Sequence, residues 1–230
     1  MSMFTAEEVT AIGLSLKVAL VAAIASLPPG IACGWLLARR RFPGKALLDA
    51  LLHLPLVMPP VVTGYALLVM LGTQGPIGSW LLEHVRVQFA FRWTGAALAC
   101  AVMGFPLMVR AIRLSIEATD RRLEAAAATL GAGPWRVFFS ITLPLAWPGL
   151  VAGVVLAFAK ALGEFGATIT FVSNIPGETQ TLSSAIYGLM QVPGMESGVW
   201  RLAGVALAIS LAALLLSEWL VRRQYRREEA

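Results

Sequence analysis

Charge is what this sequence has least of. Only 13% of its 230 residues are Asp, Glu, Lys or Arg, about half the share found in soluble domains, which excludes an ordinary soluble enzyme or binding domain. Histidine and cysteine are almost missing as well. Cys33 and Cys100 lie in separate apolar stretches with no C-x-x-C spacing, and His53 and His84 are isolated. Neither a redox pair nor a metal centre is therefore expected, and both thiols read as small buried side chains. No G-x-x-x-x-G-K-[ST] phosphate loop occurs, which excludes the usual cradle for ATP. No Lys or Arg precedes Lys17, so the first apolar stretch lacks the basic start of a signal peptide and is expected to stay as a helix.

What the chain does have is apolar surface: 58% hydrophobic residues and a mean hydropathy of +0.76, so lipid is its main solvent. Runs long enough to cross about 30 Å of hydrocarbon fall at 11–37, 46–71, 94–116 and 199–221, and another begins after Pro144. From Leu145 to Val172 that run exceeds one untilted crossing, and Gly163-Glu164-Phe165-Gly166 interrupts it. A span over about 145–163 with an irregular continuation to about 172 is expected. The whole chain, 1–230, reads as a single all-α, polytopic membrane helix bundle with about five transmembrane helices.

Basic residues orient it. Thirteen of the eighteen Lys and Arg fall on one side: Arg39, Arg40, Arg41 and Lys45 after the first span; Arg110, Arg113, Arg121, Arg122 and Arg136 after the third; Arg222, Arg223, Arg226 and Arg227 after the last. By the positive-inside rule that side is cytoplasmic, the N-terminus is outside and the C-terminus cytoplasmic. A sixth crossing within 173–198 would put the basic tail outside and ranks second. The pI near 9.8 thus reports orientation and not nucleic acid, for which no basic stripe exists outside the loops.

The longest cytoplasmic excursion, 118–144, has its own structure. Asp120 caps a short helix with Leu123, Ala127 and Leu130 at helical spacing, Gly131 and Gly133-Pro134 end it, and Trp135, Val137, Phe138, Phe139 and Ile141 form an aromatic amphipathic stretch. It reads either as a docking handle or as a plain interfacial loop. Elsewhere, Gly30-x-x-x-Gly34 and Gly149-x-x-x-Gly153 suit close helix packing. Pro55, Pro59 and Pro60 must kink the second span, which makes Pro59 and Pro60 candidates for a gate or pathway wall. Lys160 and Glu164, four apart near a span end, read equally as a functional pair or as a structural ion pair.

The loop resembles the one that docks permeases of ABC importers into their ATPase subunits. That family's pattern is Glu-Ala-Ala, a Gly six residues after the Glu, and Ile-x-Leu-Pro ten residues after the Gly. Gly131 and Ile141-x-Leu143-Pro144 fit it, Ala126 and Ala127 fill the two Ala positions, but Ala125 stands where the Glu belongs. Glu124 is one residue early, about 100° round the helix. The stretches 42–69, 105–117 and above all Ala161 to Tyr187, "ALGEFGATITFVSNIPGETQTLSSAIY", are similar to the molybdate permease branch.

The resemblance implies a binding-protein-dependent importer of the type I transmembrane kind in the bacterial cytoplasmic (inner) membrane, passing molybdate by alternating access. It implies a homodimer, two cytoplasmic ABC ATPase subunits holding ATP and Mg, and an extracytoplasmic molybdate-binding protein. This chain is then a transport subunit and not an enzyme, with no cofactor of its own. The ATPase-coupling residues are Glu124, Ala125, Ala126, Gly131, Ile141, Leu143 and Pro144. A dianion needs a polar path that binds it weakly enough to let it leave. Neutral donors for one are Thr63, Tyr65, Thr168, Thr170, Ser173 and Asn174, although each hydroxyl reads more readily as bonded to a helix carbonyl. A tungstate or sulfate permease of the same family is the alternative. An ion-gradient-driven secondary transporter is disfavoured, since no internal repeat is evident.

Overall fold

The computed structural model describes residues 4–228; the side chains of Arg222, Arg223, Arg226 and Arg227, counted above for orientation, lie outside what it describes. Every regular element among the described residues is helical. Three helices are long and apolar enough to cross a membrane: α1 (Ala6–Arg39), α5 (Trp93–Ala118) and α12 (Glu196–Glu228, apolar to Val221). A capping box starts α1: the Glu8 amide donates to Thr5 Oγ1, and the Thr5 amide donates to the Glu8 carboxylate, so that two otherwise orphaned donors are satisfied. With 34 residues α1 is ~51 Å long. Lys17, within it, places Nζ 3.5 Å from the centre of the Trp93 ring, a cation–π contact at the start of α5.

The two remaining candidates for a span are each a bent pair of helices. The stretch expected as one kinked helix over 46–71 is two helices, α2 (Lys45–Val57) and α3 (Pro60–Leu71), meeting at 111°. Met58 is driven to extended backbone (ψ 146°) by the proline after it, and Pro60 opens α3 where a missing N–H costs nothing. Two successive prolines thus make a corner. After α4 (Pro76–His84) and α5, the excursion over 118–144 forms α6 (Arg121–Thr129), α7 (Pro134–Val137), one π-helical turn (Phe138–Thr142) and α8 (Leu143–Leu145). Pro144 lacks the N–H that would reach the Ser140 carbonyl, and its ring crowds that carbonyl; the chain widens into the π turn just before it. The span expected from 145 starts as α9 (Trp147–Leu162), at 67° to what precedes it. Ser115 bridges this bend, accepting from the Gly149 amide and donating to the Ala146 carbonyl, both at 3.3 Å.

The irregular continuation beyond 163 is α10 (Gly166–Val172). The stretch 173–198 contains only the start of α12 and α11 (Leu182–Met190), which at ~14 Å is too short to add a crossing. Counting each bent pair as one, length and composition allow up to five spans.

Glycine contacts set the packing around α5. A Cβ on Gly30 or Gly34 of α1 would come within 2.9 Å of Met108 or Ile112, and one on Gly149 of α9 would collide with Ser115. Both small-residue stripes therefore pack closely against α5, the close packing that their spacing suits. Val18, Ala22, Ala96, Cys100, Met103, Ala161 and Phe171 form the main core between α1, α5, α9 and α10. A smaller cluster of Ala11, Leu182, Ala185 and Leu202 joins α1, α11 and α12.

Candidate functional site

The loop over 118–144 starts and stops as its residues dictate. Asp120 Oδ1 accepts from the Arg122 amide at 2.9 Å and opens α6. At its end the Gly131 amide donates to the Ala128 carbonyl at 3.0 Å and the Ala132 amide to the Ala127 carbonyl at 3.1 Å, the Schellman pattern. Gly131 has φ +85°, a left-handed backbone that favours glycine. No atom lies within 4 Å of where its Cβ would be.

The carboxylate of Glu124 turns inward, onto α1. Arg39 donates to Glu124 Oε1 from Nη2 at 2.8 Å and from Nε at 3.1 Å, and Thr142 Oγ1 donates to the same oxygen at 2.7 Å. Arg39 Nη2 also donates to the Thr119 carbonyl, and Arg121 Nη2 to the Ala38 carbonyl, both at 3.2 Å. The pair is shielded, with side chains 7% and 19% exposed, a setting in which charge-assisted bonds are strong. Ala125 and Ala126 are exposed. The one-residue shift of the acid thus puts alanine on the outer face and commits the carboxylate to the inside of the chain.

The loop exposes large apolar side chains: Leu130, Trp135 and Phe139 are 89%, 74% and 59% exposed. Trp135 and Phe139 stack at 6.3 Å, whereas Phe138 turns in and meets Trp35 of α1 edge-on at 6.0 Å. Leu143 packs into the core beside α5 and α9, Ile141 is half-buried and Pro144 exposed. An open cleft of about 400 Å³ lies beside the contact of Phe138 with Trp35, lined by Trp35, Arg39, Arg40, Glu124, Phe138 and Thr142 among others. What the arrangement offers is a braced projection with exposed apolar side chains.

The other candidates gather where α3 crosses α10. A Cβ on Gly64 would collide with the Ala167 carbonyl oxygen, and one on Gly166 would lie 2.8 Å from Pro60, so the corner at Pro59-Pro60 rests directly on α10. Thr63 is buried there, and its hydroxyl has no hydrogen-bond partner among the described residues. Tyr65 is 61% exposed. Thr168 and Thr170 donate to the carbonyls of Phe165 and Gly166 at 2.9 and 2.8 Å, the local bonding expected of threonine in a helix. Ser173 ends α10 with φ +66°, and the buried Asn174 Oδ1 lacks a described partner.

Glu164 lies past the end of α9, yet it pairs with Lys160, four residues earlier, at 2.5 Å. Its other oxygen accepts from the Ala167 amide at 3.0 Å in the first turn of α10, where a negative charge also meets the positive helix end. With 1% of its side chain exposed, Glu164 braces the break between α9 and α10. The residues expected to couple and those expected to line a path occupy two separate places, one at the Arg39 end of α1 and one around the α3–α10 crossing.

Sequence reasoning missed Arg39 and Thr142, because Arg39 read only as an orienting charge and Thr142 as the variable position of Ile-x-Leu-Pro. It also missed the tie of α2 to α5, where Arg113 reaches Asp49 Oδ2 at 3.0 Å and Glu117 at 2.9 Å. Partners 64 residues apart leave no local signature.

Residues 30–226 match the family model described as "Binding-protein-dependent transport system inner membrane component". The chain is 62% identical over 95% of both sequences to the molybdenum transport system permease protein ModB of Escherichia coli K12, and 56% identical over 96% of both to that of Haemophilus influenzae. Its identity to the sulfate transport system permease protein CysT of Escherichia coli K12 is 37%, over 95% of this chain and 78% of that one. Its fold is similar to a chain of a bacterial alginate ABC transporter (TM-score 0.76, 17% identity, 95% of this chain and 80% of that chain) and of the MetNI methionine ABC transporter in an inward-facing conformation (TM-score 0.73, 15% identity, 94% of each). With a multi-pass apolar helix bundle, the family's pattern in its loop and these matches, the chain belongs to the inner membrane permease components of binding-protein-dependent transport systems, on the branch of the molybdenum permeases.

Proposed function

We propose that this chain forms the path by which molybdate enters the cell, as the permease of an ATP-driven importer. The observation that carries the reading is 62% identity over 95% of both chains to a molybdenum permease, against 37% to a sulfate permease. Two copies enclose the path, two cytoplasmic ABC ATPases bind ATP and Mg, and an extracytoplasmic binding protein delivers the oxyanion. The N-terminus is outside and the C-terminus cytoplasmic, in keeping with the basic residues around the loop. ATP and the loaded binding protein each favour one of two packings of the permeases, so that alternating access is a population shift.

The loop over 118–144 couples the permease to the ATPase. Its exposed Leu130, Trp135 and Phe139 are the contact surface, the turn at Gly131 sets its shape, and Ile141, Leu143 and Pro144 join it to α9. The corner at Pro59-Pro60, with Thr63 and Tyr65 beside it, forms part of the pathway wall. Thr63, whose hydroxyl has no described partner, is the stronger donor candidate; Thr168 and Thr170 are committed to carbonyls.

The test is uptake by the reconstituted complex with molybdate, tungstate and sulfate in competition. Molybdate uptake that needs both ATP and the binding protein, and that excess sulfate does not suppress, is the expected result. Equally efficient sulfate uptake would overturn the assignment.

A further inference from the structure

The loop between α5 and α9 is tied most firmly to a helix it is not joined to. Arg39, in the last turn of α1, is 85 residues from Glu124, yet it reaches both Glu124 and the Thr119 carbonyl, while Arg121 returns a bond to Ala38. Thr142, at the far end of the loop, closes on the same Glu124 oxygen. One carboxylate oxygen thus gathers donors from α1 and from the π turn, and three donors exhaust the lone pairs it offers. Glu124 has no such capacity left at that oxygen for a partner protein. Edge-on packing of Trp35 against Phe138 adds an apolar contact between the same two elements.

The other end of α1 is anchored as well. Glu8 pairs with Arg201 of α12 at 2.7 Å, and Ser15 Oγ accepts from the Leu182 amide at the start of α11. Between its ends, α1 meets α5 through Gly30 and Gly34. Nothing comparable among the described residues ties the loop to α2, which has no buried residue and is held to α5 by Arg113 and Asp49. We infer that Arg39 is a positioning residue that carries the coupling stroke into α1, so that α1 acts as the rod from the cytoplasmic loop to the far ends of α11 and α12. The inference rests on the coupling role proposed for the loop.

It is tested in the complete transporter, with ATPase and binding protein, in proteoliposomes. The readout is molybdate imported per ATP hydrolysed, a ratio that a loss of folded complex alone does not move. Arg39→Ala should lower it about fivefold or more, a typical size for coupling between sites, and Arg39→Glu combined with Glu124→Arg should recover most of it. A native ratio in Arg39→Ala, or an exchange that recovers nothing while both single variants assemble, would overturn the inference. If Arg39→Ala does not assemble, Arg39→Lys serves: it keeps the charge but loses the fork, and a native ratio there also counts against the inference. A Gly131→Trp arm separates the two claims. Uncoupling by Gly131→Trp with none by Arg39→Ala defeats only the role of α1, whereas a native ratio in both defeats the coupling role of the loop.

Discussion

Gly131 and Gly64 are both fixed as glycine, for opposite reasons. At Gly131 the constraint is the backbone, φ +85°, with open space where a side chain would go. A Gly131→Trp chain should therefore fold and insert, losing about 1–2 kcal/mol to the left-handed conformation. Its indole would stand where the proposed ATPase partner docks, so uptake should drop severely while the amount of permease in the membrane stays near normal; normal uptake would exclude this turn from docking. At Gly64 the constraint is the Ala167 backbone, which a methyl group on Gly64 would strike. Gly64→Ala should lower stability by about 1–3 kcal/mol through overpacking, read as the unfolding midpoint in detergent. Gly13, with nothing within 4 Å on α1, is the control: Gly13→Ala should be neutral or stabilise by up to ~1 kcal/mol.

Among the elements, α2 and the α9–α10 junction each depend on an ion pair. Having no buried residue, α2 depends on the corner at Pro59-Pro60 and on Asp49, which faces Arg113 across a partly exposed contact. Asp49→Asn should cost no more than about 1 kcal/mol overall but speed amide hydrogen exchange within Lys45–Val57; unchanged exchange would remove the tie. At the junction, Glu164 is almost fully buried between Lys160 and the Ala167 amide. Glu164→Gln keeps the shape but loses the charge, and should destabilise by about 1.5–3 kcal/mol. Adding Lys160→Met should return part of that loss, because the cation is no longer left unpaired. Undiminished molybdate uptake by Glu164→Gln would leave bracing as its whole role; lost uptake in a folded protein would put it in the path.

For the whole molecule, the two ends of α1 sort the rest of the chain. Glu8 and Arg201 meet at one end, and Arg39, Thr119 and Glu124 at the other, so the starts of α1 and α12 lie on the side opposite the loop. With five spans and the basic loop inside, as proposed, a C-terminal tag should be unreachable from outside intact cells; labelling from outside would reverse the orientation. The purified chain should hydrolyse no ATP. In cells, uptake should stop on removal of the ATPase and persist when the proton gradient is collapsed, and the reverse pattern would move the protein to a gradient-driven class.

Much was legible in the residues alone where the controlling physics is local. Apolar run length marked where the long apolar helices lie, Asp120 and Gly131 marked the ends of α6, and glycine spacing marked the faces that meet α5, because caps, turns and helical periodicity act within a few residues. The successive prolines likewise announced a distortion, but not its 111° angle, which the packing of Gly64 and Pro60 against α10 accompanies. Only the tertiary structure decided the partner of Glu124, the bridging of the Ala146 bend by Ser115 and the capping of α10 by Glu164. Those contacts depend on which helices come together, and a side chain that can satisfy several partners selects one only when the fold brings it within reach.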